Sequence, residues 1–324
     1  MSLRSLLPAC VFLAATPALA QSAATAYPDK PIRLVVPFAA GGALDVVGRI
    51  VGLKMTETWG KQVVIDNRLG AAGNIGAEVV AKAVPDGYTL LMSSVTTQAI
   101  SMSLLAKPPY DFVRDYAPAG LVASAPLALV IHPALPAKTV KEFIAIAKAR
   151  PGELNYFSSG TGSGTHFAAA IFDQMAGIKT THIPYKGGAQ GVTDLLAGQV
   201  QFAFSTLGLA VPHAESGRLR ILAIGSTKRY ARLPKVPTIT ESGVKGYEAE
   251  QWYGVVAPAG TPPAVVNKLA AELKAIVGNA DVRERFYSQG IEPVYAGPAE
   301  FEALIKSAVA KYAQVVKALG LKPE

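Results

Sequence analysis

The sequence predicts an α/β protein with two doubly wound lobes that are joined by two crossover strands. Short apolar segments alternate with helical periods, and glycine or small polar residues separate them. A long apolar run at 121–131, which Pro133 and Pro136 follow, interrupts this alternation. The chain also has 324 residues, which is more than one hydrophobic core usually covers.

The first unit begins with an apolar strand at 32–38, a small-residue turn and a helix that starts near Leu44. Two further strands follow in this unit. The second unit repeats the pattern between the proline-flanked run and residue 250. Its strands are expected at 154–157, 181–184, 201–204 and 219–224.

The run at 121–131 predicts a strand that leaves the first lobe, and 251–257 predicts one that returns to it. We therefore expect lobe 1 to comprise residues 27–124 and 251–324, and lobe 2 to comprise residues 125–250. Two crossings of this kind form a hinge with a cleft beside it.

Residues 1–20 are typical of a secretory signal peptide, with Arg4 near the start and Ala18-Leu19-Ala20 at the end. We expect cleavage before Gln21. Cys10 is the only cysteine and lies in this segment, so the mature chain has no disulfide, thiolate metal site or cysteine nucleophile. Export without disulfides predicts a bacterial periplasmic location.

The basic balance of the chain, a formal net charge of +8, does not indicate a nucleic-acid partner. The Lys and Arg residues are scattered, and no basic stripe with interleaved aromatic residues is present. A solvated basic surface that attracts anions mildly is the better interpretation.

Three turns rich in glycine and small hydroxyl residues carry the predicted chemistry: 38–45, 158–166 and 185–191. Each lies where a strand leads into a helix, which is where open α/β sheets bind ligands. The backbone N–H groups at such a helix start are unpaired and favour an anion. The three turns together predict a site for a small carboxylate.

Several side chains in these turns leave alternatives open. Asp45 either caps its helix or accepts from a ligand amino group. His166 either bonds locally at its helix start or contacts the ligand, and Lys186 is either solvated or paired with a carboxylate. Hydroxyl groups cluster in the second turn, at Ser159, Thr161, Ser163 and Thr165.

Sequence motifs for several other functions are absent. No turn contains the P-loop spacing, and a G-x-G-x-x-G fingerprint that starts at Gly160 fails at Thr165. Ser163 is not in a G-x-S-x-G nucleophile elbow. The four histidines are far apart and none has metal-ligand spacing to another His, Asp or Glu, so we expect neither a metal nor a cofactor.

The sequence resembles the Bug family of extracytoplasmic solute receptors, the binding proteins of tripartite tricarboxylate transporters. The matching segments are Tyr27-Pro28-Asp29-Lys30-Pro31-Ile32-Arg33, 35–38, Asp66-Asn67-Arg68, 85–90, Pro184-Tyr185-Lys186-Gly187, 233–238 and 257–262. The sequence departs from the family pattern at Ala40 and Leu69, where proline is usual, and at Gln201, where aspartate is common.

The resemblance implies a type II periplasmic-binding-protein fold that grips a carboxylate through backbone amides, hydroxyls and bridging waters. The implied contacts from lobe 1 are Phe38, Ala39, Gly42 and Asp45, with Ser94 or Thr96. Those from lobe 2 are Thr161, Gly162, Ser163, Thr165, His166, Lys186, Gly187 and Gly188.

The implied function is that of a periplasmic receptor, monomeric and without catalysis, that delivers a small organic carboxylate to the membrane permease of a tripartite transporter. Two alternatives stay open at this point. One is a sensing subunit that signals by the same closure. The other is a periplasmic hydrolase with Ser163 as its nucleophile.

Overall fold

The structure is a computed structural model that describes residues 27–321, which form ten strands and ten α-helices. The predicted signal segment, residues 1–20, and its cleavage position before Gln21 lie outside the described residues.

The first part of the chain forms three parallel strands with helices between them. The elements are β1 (Ile32–Val36), α1 (Ala43–Trp59), β2 (Val63–Asn67), α2 (Asn74–Ala81), β3 (Thr89–Ser94) and α3 (Val95–Leu104). β1 lies between β2 and β3. Its sequence, Ile-Arg-Leu-Val-Val, is rich in β-branched and apolar residues, as a strand that is covered on both faces requires.

The middle of the chain repeats this architecture. Its elements are β4 (Tyr116–Ile131), α4 (Val140–Ala149), β5 (Asn155–Ser158), α5 (Gly164–Ala176), β6 (Thr181–Pro184), α6 (Gly188–Leu196), β7 (Phe202–Thr206), α7 (Leu207–Glu215) and β8 (Arg220–Ile224). β5 pairs in parallel with both β6 and β7.

The last part of the chain returns to the first sheet. It comprises β9 (Glu250–Pro258), α8 (Pro263–Gly278), α9 (Ala280–Ser288), β10 (Glu292–Ala296) and α10 (Pro298–Ala318). β9 lies between β3 and β4 and is antiparallel to both. β10 pairs with the first half of β4.

β4 and β9 are the two crossover strands. β4 pairs with β9 from Tyr116 to Pro126, whereas its last residues, Leu127 to Ile131, pair with β7. One long strand therefore belongs to both sheets. The strands that flank β1 and β5 pair with them in parallel, as in a doubly wound lobe. The two crossover strands pair antiparallel, because one leaves the first lobe and the other returns to it.

Four elements have no counterpart in the sequence prediction: α3, where only a turn was expected, α7, α9 and β10. α7 has Pro212 inside it and few polar residues, so it shows no helical alternation. β10 is short and includes Pro293. Such elements form because a neighbouring surface covers them.

Each sheet has its own apolar core, and α9 and α10 also contact the second lobe. Tyr312 of α10 packs against Phe167 of α5, and the Gln174 side-chain amide donates to the Ala318 carbonyl at 2.9 Å. On the other side, Arg232 forms an ion pair with Glu284 at 2.7 Å. The lobes therefore touch on both sides of the crossover strands.

The close packing of β9 gives a stability prediction. A Cβ at Gly254 would overlap the Phe301 ring and lie 2.8 Å from the Gly120 carbonyl oxygen. We expect Gly254→Ala to reduce the free energy of unfolding by about 1–3 kcal/mol, measured by urea denaturation. Gly278→Ala, where the added atom meets nothing within 4 Å, is the control and should not destabilise. Equal stability of the two variants would contradict this packing constraint.

Candidate functional site

Five helices begin at one cavity between the lobes. The residues that immediately precede α1, α3, α5, α6 and α7 all line it: Gly42, Ser94, Ser163, Gly187 and Thr206. Each helix follows a strand or its turn, so the topology places all five starts at the carboxyl ends of strands. The positive ends of five helix dipoles therefore face the same space.

Most of these helix starts have backbone N–H groups available. Within residues 27–321, only Ser163 of the five caps its helix, accepting a hydrogen bond from the His166 N–H at 3.3 Å. Gly42, Ser94, Gly187 and Thr206 make no such side-chain bond. Because the first N–H groups of a helix have no partner inside it, they are free to bind an anion.

The cavity combines neutral hydrogen-bonding groups with apolar surface. It holds about 600 Å³ of space outside the protein atoms, including the part that opens to solvent. Its lining residues are Phe38, Ala39, Gly42, Ala43, Leu44, Ser94, Thr97, Phe157, Ser159, Ser163, Gly164, Thr165, Gly187, Gly188, Phe204, Ser205, Thr206, Leu209, Gln251 and Tyr253. None of these described residues carries a charged side chain.

Tyr253 and Gln251 approach the cavity from β9. Burial raises the pKa of Tyr253, so its phenol stays protonated at neutral pH and can donate a hydrogen bond. The Gln251 side-chain oxygen lies 3.3 Å from the Ser94 hydroxyl, which donates to it. These two side chains come from the strand that joins the lobes, not from any helix start.

The two sides of the cavity touch each other. The Gly164 N–H of α5 donates to the Thr97 hydroxyl of α3 at 3.4 Å. A Cβ at Gly164 would overlap the Gln251 side chain, and one at Gly187 would lie 3.0 Å from the Ala39 Cβ. The two sides of the cavity are therefore in contact at these glycines, where a larger residue would have to displace its neighbour.

Nine of the residues singled out from the sequence line this cavity. They are Phe38, Ala39, Gly42, Ser94, Ser159, Ser163, Thr165, Gly187 and Gly188. They come from all three predicted turns and from the turn after β3. The prediction that these turns meet at one place therefore agrees with their position in the structure.

Asp45 is buried just outside the cavity, and its carboxylate is already bound. It accepts hydrogen bonds from the Gly41 N–H, Arg49 and Asn67 at 2.8–3.0 Å. Burial alone would raise the pKa of Asp45, but the bonds from Arg49 and Asn67 lower it below its ordinary value. Of the two roles left open for Asp45, the structure matches the local, helix-start role.

Thr96, Thr161 and Lys186 also lie outside the cavity lining. The Thr96 hydroxyl donates to the Glu250 carbonyl at 3.1 Å. Thr161 and Lys186 line a neighbouring space at the rim, against Ala71 and Ala72. Lys186 therefore contributes no charge to the cavity wall itself.

His166 and Gly162 lie outside the cavity lining and bond to each other within the second turn. The Gly162 N–H donates to His166 Nδ1 at 3.2 Å, and the His166 ring stacks on His182 with centroids 4.0 Å apart. His182 in turn stacks on Tyr156 and bonds to the Ser158 hydroxyl at 2.6 Å. Burial lowers the pKa of each histidine to about 4, so both rings are neutral at pH 7.

Several lining residues were not singled out from the sequence, and Thr97 and Thr206 are the most informative. With α3 beginning at Val95, residues 94 and 97 lie on one face of its first turn, whereas Thr96 points elsewhere. Ser205 and Thr206 follow the same strand-hydroxyl-helix pattern as the other turns. That pattern was available in the sequence, but it was not recognised because α7 was not predicted.

Comparison with known proteins identifies the family. Residues 47–321 match the model of the tripartite tricarboxylate transporter family receptor. The chain belongs to this receptor family. It is 36% identical over 313 residues to protein BugT of Bordetella pertussis, with 96% of each chain covered.

Two solved structures extend the comparison with this receptor family. R. palustris Rpa4515 with adipate superposes with a TM-score of 0.89 and 34% identity, covering 92% of this chain and 100% of that one. MatC from Rhodopseudomonas palustris with bound malate has a TM-score of 0.85 and 30% identity, with 90% and 100% covered. The two-lobed α/β periplasmic-binding-protein fold predicted for this receptor is confirmed.

Two further findings concern the described residues of this receptor. None of its helices between residues 27 and 321 is long and apolar enough to cross a membrane. The same residues contain no group of three His, Cys, Asp or Glu side chains placed to hold a metal ion.

The histidine stack predicts a pH dependence of stability. Both pKa values are lowered on folding from 6.5 to about 4, so the unfolded chain binds protons first as the pH falls. The free energy of unfolding that depends on neutral histidines is fully present above about pH 6.5 and is lost as the pH falls towards 4. Between pH 7 and pH 5 we expect a loss of about 1–2 kcal/mol per histidine. Urea denaturation at these two pH values measures the loss.

His182→Phe keeps an aromatic ring in the stack and removes one titrating group. We expect it to lose less stability than the wild type between pH 7 and pH 5. His132→Phe, outside the stack, should keep the wild-type loss. If His182→Phe and the wild type lose the same amount, the stack does not hold its histidines neutral.

Proposed function

We propose that this receptor binds a small organic carboxylate in the cavity and delivers it to the membrane permease of a tripartite transporter. The observation that carries the proposal is the convergence of five helix starts on a cavity with no charged side chain in its lining. A carboxylate gains about 0.3–1 kcal/mol at one exposed helix start and up to about 2 kcal/mol where the site is partly buried. Several starts acting on one ligand give useful affinity without any Arg or Lys.

The ligands of the two solved relatives support this chemistry. Rpa4515 was solved with adipate and MatC with malate, and both compounds are dicarboxylic acids. The apolar lining, which includes Phe38, Leu44 and Phe204, suits the hydrocarbon part of such an acid.

The proposed hinge lies where the crossover strands change partners. Ala125 pairs with Gln251, and Leu127 is already paired with Thr206 of the second sheet. We place lobe 1 at residues 27–124 and 251–324, and lobe 2 at residues 125–250. A ligand that contacts both lobes favours the closed form because the open form lacks half of the contacts.

The proposal extends to the location of the receptor, its oligomeric state and its lack of catalysis. The signal-like segment at 1–20 and the receptor family support export to the periplasm with cleavage before Gln21. All five helix starts come from one chain, so a monomer is sufficient for binding. We expect no catalysis: the Ser163 hydroxyl bonds to Thr165 and to a backbone N–H, not to a histidine ring.

The test is thermal unfolding of the mature protein with succinate, malate, adipate and citrate, and with glucose and maltose for comparison. At least one acid should raise the melting temperature in a saturable way, by roughly 5 °C at a hundred times its Kd. Mass spectrometry should recover that acid unchanged. A rise with a sugar and with no acid would contradict the proposal, as would ester cleavage that Ser163→Ala abolishes.

A matched pair of variants locates the binding. Gly42→Val fills the cavity at the start of α1 and should abolish the rise in melting temperature caused by the acid. Gly278→Val introduces the same side chain at the end of α8, where an added Cβ meets nothing within 4 Å, and should preserve the rise. If Gly42→Val responds like Gly278→Val, the acid binds elsewhere.

A further inference from the structure

His166 makes two hydrogen bonds that hold the second turn. Its ring nitrogen Nδ1 accepts from the Gly162 N–H at 3.2 Å, and its own backbone N–H donates to the Ser163 hydroxyl at 3.3 Å. Ser163 and Gly164 line the cavity, whereas His166 does not. The ring of His166 therefore helps to set the backbone geometry of a cavity wall that it does not itself form.

The second turn depends on such bonds because its backbone is otherwise free. Gly160 and Gly162 have φ angles of +126° and +82°, a region that glycine reaches without steric cost. A glycine-rich segment keeps one conformation only when its interactions offset the entropy lost. At the start of the turn, the Ser158 hydroxyl accepts from the Gly160 N–H at 3.0 Å and lies 2.6 Å from Nε2 of His182. The stacked rings of His166 and His182 therefore hold the turn at two places.

The bond from Gly162 requires an unprotonated Nδ1 on His166. A neutral imidazole has one accepting nitrogen, whereas both nitrogens of the cation are donors. Protonation of His166 would set its new N–H against the Gly162 N–H and break the bond. It would also place a cation on a ring whose centroid lies 4.0 Å from that of His182, so the two rings cannot both be charged at low cost.

The groups around the stack do not favour a cation. Tyr156 stacks on His182, and burial raises the pKa of its phenol, so it stays neutral. α3, which faces the turn from the first lobe, contains no charged residue. Asp173, two turns further along α5, bonds to Thr180, and burial raises its pKa to about 6. Burial lowers the pKa of His166 to about 4 with no contribution from a charged neighbour.

The first lobe contacts the same turn. The Gly164 N–H donates to the Thr97 hydroxyl at 3.4 Å, and a Cβ at Gly162 would lie 3.0 Å from the Leu104 side chain. Both contacts come from α3 and are lost when the lobes separate, so water then reaches the turn. Separation of the lobes should therefore raise the pKa of His166 towards its ordinary value of 6.5, because desolvation is what lowers it.

We propose that neutral His166 positions the second turn for ligand binding, and that its protonation at mildly acidic pH releases the turn and weakens binding. This inference rests on the proposed function and adds control by protons to it. His166 is a positioning residue, because it acts on the ligand only through the turn. Binding and protonation of His166 oppose each other, so a bound acid also makes the ring harder to protonate. The receptor holds its ligand at neutral pH and releases it in acid.

The pH dependence of binding tests the proposal. Isothermal titration calorimetry measures the Kd of the tightest-binding of the four acids at pH 7 and pH 5. Wild-type Kd should rise between these values by at least about threefold more than the Kd of His166→Asn. Asparagine offers an oxygen near the position of Nδ1, so it can accept from Gly162 without titrating. Protonation of the acid and of Asp173 is common to both proteins and cancels in the comparison.

Two further variants separate positioning from general disruption. His166→Ala removes the acceptor and should weaken binding at pH 7 by about fivefold or more, and His166→Asn should recover most of that loss. His132→Asn is the matched control, because Nδ1 of His132 also accepts a backbone N–H, from Ala134 at 3.2 Å, but lies outside the stack. It should bind like the wild type and keep the wild-type pH dependence.

NMR titration of the histidine rings in the wild type needs no variant to fold. The pKa of His166 should be lower with the acid bound than without it, and circular dichroism at each pH establishes that the chain is folded. If the wild type binds an acid at pH 7 but shares the pH dependence of His166→Asn, or if the acid leaves the pKa of His166 unchanged, the inference is wrong and the receptor function stands. If no acid binds the wild type at pH 7, the proposed function fails, and this inference fails with it.

Discussion

The unsatisfied N–H groups at helix starts are the feature on which the site depends. A helix cannot bond its own first N–H groups, and a side-chain cap usually satisfies one of them. Here Gly42 and Gly187 have no side chain to offer, and Ser94 and Thr206 do not use theirs for this purpose. The topology collects these starts at one cavity because every one of them follows a strand end on the same side of its sheet.

This arrangement explains why the cavity needs no cation. An Arg or Lys in the wall would bind an anion more strongly, but it would also need a counter-charge whenever the cavity is empty. Helix dipoles carry only partial charges, and they are fixed in place by the fold, so they cost little to desolvate. The nearby acidic residue, Asp45, is neutralised by Arg49 and so does not repel an anion from the first turn.

The sequence predicted the strand-turn-helix units that build the cavity, because their apolar strands and glycine turns are local signals. It did not predict α7, because Pro212 and the apolar composition of that helix leave no helical alternation of apolar and polar residues. Thr206, which directly precedes α7, was missed for the same reason. Gln251 and Tyr253 reach the cavity only through the pairing of β9 with β3 and β4, which is a tertiary contact. For His166, the sequence indicated its position beside the second turn but not its contact. Its ring stacks on His182, which is sixteen positions away in sequence, so the contact forms only in the folded chain.

Backbone amide resonances provide the most direct measurement of whether helix starts bind the ligand. In ¹⁵N-labelled protein, addition of the tightest-binding diacid should shift the amides of the first helical residues, Ala43, Val95, Gly164, Gly188 and Leu207, more than those elsewhere. Such shifts would show that backbone N–H groups of both lobes contact one acid. Large shifts confined to the rim around Lys186, with these five amides unchanged, would contradict the account.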